Sequence, residues 1–225
     1  PWVGHDTVLK LKKLLARFDI TPGLSPSDLA PGTALAQVWA RMAITLVEQV
    51  EAGALDVEKA QKFLDRHGRR MGLQTLRLRA RLALYTGDEQ KAIALLQQAT
   101  ARRDLEAAYR LGRLRVKRGE LEKGIAVLAQ AMEGASELQA RLWSARAYLK
   151  LEKFTEARNL AEPLVAQTDW EYPAKAEINA LLILAAVERH RGDITRATER
   201  VFHFLTLNPL SPDGHYAAAE PLQLG

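Results

Sequence analysis

The stretch Leu105–Glu137 reads LEAAYRLGRLRVKRGELEKGIAVLAQAMEGASE, and its spacing decides the fold. Apolar and small residues recur at intervals of three and four, the period of one helix face, first over Leu105, Ala108, Leu111 and Gly112. Arg118-Gly119-Glu120 interrupts the pattern, and Leu121, Ile125 and Leu128 resume it. Two helices joined by so short a turn must run antiparallel. Gly112 and Gly124, the eighth and twentieth residues of the stretch, then mark where they cross. Helices approach closely only where neither carries a bulky side chain, so that the surrounding ridges can interlock.

Working outward, the same arrangement starts near Leu73, Leu105, Leu138 and Ile178, at spacings of 32, 33 and 40 residues. The eighth position holds Ala80, Gly112, Ala145 and Ala185; the twentieth holds Ala92, Gly124, Ala157 and Ala197. Short breaks fall at Gly87-Asp88, Gly119-Glu120, Leu151-Glu152 and Gly192-Asp193. None of the 9 prolines falls within residues 32–162, and no stretch alternates β-branched with polar residues. Both facts favour helix over strand. Pro163 lies inside an apolar helical pattern and is expected to kink or end that helix.

These units resemble the tetratricopeptide (TPR) repeat, a helix-turn-helix of about 34 residues. Leu111-Gly112 stands where that family has its Leu-Gly pair, Tyr148 at its tyrosine position, and Asn208-Pro209 where its proline falls. The chain departs at the family tryptophan position, which reads Leu76, Ala108, Arg141 and Leu181, and at the turn glycine of the third unit, which is Glu152. The resemblance implies an all-α fold, a TPR-like right-handed superhelix of antiparallel helix hairpins, or α-solenoid. The expected organisation is an N-terminal helix in 1–20, a Pro/Gly linker in 21–32, a repeat domain over 33–209 and a cap or tail over 210–225. The clear repeats are 73–104, 105–137, 138–170 and 178–209, with Thr33–Val50 and Val57–His67 as a divergent earlier pair. Trp170-Glu171-Tyr172-Pro173 reads as an insertion, and Tyr216–Glu220 as a short capping helix.

The chain has 225 residues, 48% apolar and 26% charged, which is ordinary for a globular protein. It has no cysteine, which excludes disulfide scaffolds, thiolate zinc sites and cysteine nucleophiles. The longest apolar run, Ile178–Val187, is about half of the ~20 residues a membrane span needs. The chain opens at Pro1-Trp2 without an initiator Met or signal-like run, so it reads as a trimmed or mature fragment from which an upstream leader or anchor could have been lost. Its excess of arginine over lysine suggests a bacterial source. The expected location is bacterial cytoplasm or periplasm, or the soluble part of a membrane-anchored protein.

No catalytic or metal constellation is present. His5, His67, His190, His203 and His215 form no ligand pair at helical spacing, although His190 and His203 belong to one hairpin and could approach. The few serines make no Gly-x-Ser-x-Gly elbow, and no glycine loop suits a phosphate. Asp88-Glu89 and similar pairs sit at helix starts, where they complement the helix dipole. Arg191-Gly192-Asp193 coincides with a repeat turn. No enzyme activity, cofactor or metal is expected.

Charge is the informative feature. The net is +5, yet residues 66–118 alone hold 14 basic and four acidic side chains. Positions 2, 5, 9, 12 and 13 of each first helix share an arc of about 100°, and the resemblance places that stripe on a concave groove. Position 9 reads Arg81, Arg113 and Arg146; position 13 reads Tyr85, Lys117 and Lys150; position 5 reads Arg77 and Tyr109. Guanidinium forks suit carboxylates and phosphates. Arg77, Arg81, Tyr85, Tyr109, Arg113, Lys117, Arg146 and Lys150 are therefore the expected partner-binding residues, with solvated or internally paired arginines as the competing reading. The chaperone-tail clamp of some TPR domains places asparagine at position 9, so it does not carry over to these arginines.

The expected function is a non-catalytic scaffold that binds an acidic protein or peptide segment. The family analogy suggests a bacterial envelope, secretion or polysaccharide-export assembly. Nucleic-acid binding, with Tyr85 and Tyr109 as stacking platforms, and self-assembly as a homo-oligomer are the alternatives.

Overall fold

The computed structural model describes residues 35–166, 168 and 173–219, without the side chains of residues 35–37 and 70. The expected N-terminal helix, the Pro/Gly linker and residues 170–172 of the insertion lie outside the described residues. Among the described residues there are eleven helices and no strand, grouped in two compact units that divide between Arg102 and Arg103.

The first unit contains α1 (Leu35–Glu51), α2 (Val57–Met71), α3 (Leu73–Tyr85) and α4 (Glu89–Thr100). Asp56 opens α2 by accepting a hydrogen bond from the Glu58 amide at 3.1 Å, and Asp88 opens α4 by accepting from the Lys91 amide at 3.0 Å. The core joins Trp39, Leu46, Val47 and Val50 of α1 to Phe63 and Leu64 of α2 and Leu78 and Leu82 of α3. His67 is buried here, its ring stacked on Trp39 at 4.0 Å between centroids and tilted against Phe63 at 4.8 Å. Burying each large side chain of this kind contributes about 1.5–3 kcal/mol.

The second unit contains α5 (Leu105–Lys117), α6 (Leu121–Ala131), α7 (Glu137–Lys150), α8 (Phe154–Ala166), α9 (Lys175–His190), α10 (Ile194–Leu207) and α11 (Pro212–Ala219). Each helix packs on the next, and α7 also touches α5 and α9. Asp104 and Asp193 cap α5 and α10, accepting from the amides of Ala107 and Arg196. All eight small positions of the repeat are buried, here Gly112 and Gly124, Ala145 and Ala157, and Ala185 and Ala197. The fit is tightest in the α5–α6 pair, where a Cβ on Gly112 would stand 2.5 Å from Leu128 Cγ and 3.1 Å from the Gly124 carbonyl oxygen.

The turn between paired helices repeats as well. Gly87, Gly119 and Gly192 all take φ near +80°, and Glu152, at the same position of the third pair, is forced to φ 57°. That region suits glycine because it has no Cβ, and it strains a glutamate.

The structure refines four local expectations. The third and fourth pairs begin at Glu137 and Lys175 rather than at Leu138 and Ile178. In α9 the early start is fixed by Glu177, whose carboxylate accepts from the Ala174 amide at 2.6 Å, and by burial of Ala176. Of the two outcomes expected at Pro163, a kink or an end, the helix does not end there, since α8 runs to Ala166. The carbonyl deprived of its donor belongs to Asn159, an exposed residue, where water can take the bond. The terminal helix spans Pro212–Ala219 rather than beginning at Tyr216. Pro212 is pre-organised for a first helical position, the Ser211 hydroxyl accepts from the Gly214 amide at 3.4 Å, and Gly214 seats the helix against Phe204 and Leu205.

Candidate functional site

Three of the eight expected binding residues, Arg77, Arg81 and Tyr85, lie on α3 in the first unit; the other five lie in the second. Arg81 is committed to an internal partner. Its Nε donates to Glu51 Oε1 at 2.9 Å and its Nη2 to Oε2 at 2.5 Å, a two-point fork from α3 to the last residue of α1. The hydrogen bond that it donates to Glu51 holds the guanidinium above its usual pKa despite partial burial. Arg79 is held in the same way by Asp65 at 2.7 Å. Arg77 is half-buried, and Tyr85 ends the helix exposed. For Arg81, internal pairing is what the structure displays.

The second unit differs. Arg113 and Lys117 sit four residues apart on α5, so they share a face. Both point at the indole of Trp143 on α7, with the Arg113 guanidinium carbon 5.7 Å and the Lys117 ammonium 6.0 Å from the ring centre. Arg146, one helical turn after Trp143, lies 5.2 Å from the same centre. Three cations therefore converge on one half-buried indole. Each such contact contributes about 0.5–1 kcal/mol at a partly exposed site, because the negative face of the ring attracts cations.

Among the described residues no carboxylate forms an ion pair with this group. Among the described residues Arg113, Lys117, Arg146 and Lys150 have no ion-pair partner, whereas Arg110, Arg141, Arg158 and Arg200 of the same unit pair with Glu106, Glu137, Glu162 and Glu188. Arg146 is half-buried, and burial pushes its pKa down, offset in part by the charge of Asp213. The polar contact it makes is neutral: its Nη2 donates to Asn179 Oδ1 at 3.5 Å, and the Asn179 amide nitrogen donates in turn to the Lys175 carbonyl at 2.7 Å. Lys150 is exposed at the end of α7, and Tyr109 is half-buried on α5.

The arrangement can take negative charge. Two guanidiniums and an ammonium stand beside an aromatic wall, without an ion-pair partner among the described residues. Sequence reasoning missed Trp143 because it occupies the sixth position of its unit, outside the stripe that was read. The three-residue spacing between Trp143 and Arg146 was the signal that could have found it. Among the described residues no group of side chains is placed to hold a metal ion, and no helix is long and apolar enough to cross a membrane. His190 stacks on Phe154 at 3.6 Å between centroids. The Arg191-Gly192-Asp193 triplet forms the α9–α10 turn, with Asp193 as the α10 cap.

No protein-family model matches the chain, and no curated protein does either. Solved structures do. The chain is similar to PilW, a widely conserved type IV pilus biogenesis factor, at 16% identity and a TM-score of 0.65, over 86% of this chain and 88% of that one. It is similar to residues 41 to the end of MamA from Desulfovibrio magneticus RS-1, at 18% identity and a TM-score of 0.59, over 79% and 97%. The TPR-like repeats of a Podosopora anserina kinesin light chain match at 19% identity and a TM-score of 0.57, over 84% and 97%. Identities this low speak to fold alone, and that fold is the all-α, TPR-like helical repeat.

Proposed function

We propose that this chain is a non-catalytic interaction scaffold whose second unit binds an acidic segment of a partner protein. The observation that carries the reading is the Trp143 cluster, with Arg113, Lys117 and Arg146 gathered around one ring and none of them neutralised by a carboxylate among the described residues. Lys150 and Tyr109 extend the same two helices. Type IV pilus biogenesis, the role of one structural neighbour, makes a bacterial envelope assembly a reasonable setting.

Net charge favours a short acidic segment over nucleic acid. The second unit, residues 103–225, holds 17 basic and 17 acidic side chains, so it has no net charge with which to attract a long polyanion. Nucleic-acid binding draws on many phosphate contacts and an extended basic surface. The test is titration of the protein with a fluorescent oligoglutamate peptide and with a single-stranded oligonucleotide across a salt series. The scaffold reading predicts saturable peptide binding with a shallow salt slope. Tighter oligonucleotide binding that weakens by about 0.7 log units per phosphate contact per tenfold in salt would replace it.

A further inference from the structure

Resting on that reading, we infer that the second unit reads the spacing of acidic side chains. It takes two carboxylates two residues apart in sequence, the first on Arg146 as oriented by Asn179, the second on Arg113 and Lys117 beside the Trp143 ring. Each of the three cationic groups lies within 6.0 Å of the same ring centre, so no two of them stand more than 12.0 Å apart. In an extended chain, side chains two residues apart leave the same face about 6.5–7 Å from each other. Two such carboxylates, each reaching a hydrogen-bond length outward, cover distances up to that limit, so both can meet the cluster at once. A lone carboxylate leaves part of the cluster unmet, and carboxylates far apart in sequence must order the loop between them before both can bind.

Asn179 is the positioning residue. It meets the Arg146 guanidinium with a neutral amide oxygen at 3.5 Å while its nitrogen is anchored on the Lys175 carbonyl. The arginine is thereby aimed without being neutralised. The contrast lies within the chain: Arg81, at the same repeat position, meets the Glu51 carboxylate, and its fork is filled. An asparagine at 179 leaves the charge of Arg146 for a ligand, where the near-isosteric aspartate would take it. Partial burial sharpens the effect, since the charge of Asp213 offsets the desolvation of this guanidinium only in part and a carboxylate in contact would gain the rest.

The probes are two glycine–serine peptides of equal length and charge, one with a pair of aspartates separated by one residue, the other with the pair separated by ten. The readout is the Trp143 indole N–H resonance of the nitrogen-15-labelled protein, identified among the 4 tryptophans by Trp143→Phe. The inference predicts that the close pair moves this signal with a midpoint about fivefold lower than the separated pair. Asn179→Asp should erase the difference by neutralising Arg146, while Asn179→Ser, which leaves the charge but loses the amide contact, should reduce it without erasing it. Equal midpoints for the two peptides on the wild-type protein would overturn the spacing inference and leave the acidic-segment reading standing. A close-pair advantage that survives in Asn179→Asp would overturn the role of Asn179. If neither peptide moves the signal and a single-stranded oligonucleotide does, both readings fall.

Discussion

Replacing Gly112 by alanine tests whether close approach, rather than helix propensity, sets the small residues of the repeat. An added Cβ would meet Leu128 Cγ at 2.5 Å, Leu128 Cδ2 at 2.9 Å and the Gly124 carbonyl oxygen at 3.1 Å. Leu128 is fully buried and the nearest atom is its branch point, which rotation about χ2 leaves in place; a χ1 change would have to be accommodated in a packed interior, and the carbonyl belongs to the opposing backbone. Overpacking of this kind costs about 1–3 kcal/mol. Alanine in a helix interior returns about 0.8–1 kcal/mol relative to glycine. At the middle of these ranges the packing term wins, and Gly112→Ala should destabilise by about 1 kcal/mol. Urea unfolding followed by circular dichroism measures this directly, with the exposed Ala126→Gly on α6 calibrating the propensity term in the same hairpin. If Gly112→Ala is neutral or stabilising while Ala126→Gly loses about 1 kcal/mol, the helices are not held at the separation described, and the close-approach argument fails.

The same hairpin logic predicts that Glu152→Gly stabilises the protein by about 0.5–1 kcal/mol, because it relieves a φ of 57° at the turn position where the other three pairs have glycine; an unchanged urea midpoint would refute it. Arg158 hydrogen-bonds Glu162 within α8 and holds its carboxyl below the usual value, so its contribution exists at neutral pH and is lost as pH falls through that lowered pKa. Both side chains are well exposed and screened, so Glu162→Gln should lose no more than about 0.5 kcal/mol at pH 7 and nothing at a pH where the carboxyl is protonated; a loss that persists in acid would point to packing instead. Pro163→Ala restores a backbone donor to the Asn159 carbonyl and should raise the thermal midpoint, provided α8 is helical through residue 166.

Much of the fold is legible in the chain because it rests on local rules. The Gly112–Gly124 crossing, the glycine turns and the aspartate caps each follow from what a few neighbouring residues can do sterically or electrostatically. The end of α8 was not legible, since whether a helix survives a proline depends on whether the orphaned carbonyl, here that of Asn159, faces water. The site was half legible. Helical phase places Arg113, Lys117 and Arg146 on related faces, and they do meet, yet the same phase offers Arg81 as an equal. What separates them is Glu51, thirty residues before Arg81 and on another helix, and the neutral Asn179 thirty-three residues after Arg146. Repeat position fixes where an arginine points; what waits for it there is a tertiary fact. Trp143 escaped for the complementary reason, as its importance lies in what gathers around it.

The central claim, that the cations around Trp143 are the binding surface, is tested most directly by comparing oligoglutamate affinity in Arg113→Glu/Arg146→Glu, in Arg81→Gln and in the wild type, after matching their helicity. The account predicts that the double variant loses binding by tenfold or more, about 1.4 kcal/mol, while Arg81→Gln binds as the wild type does, because Glu51 already occupies that arginine. Undiminished binding by the double variant, or an equal loss in Arg81→Gln, would contradict it.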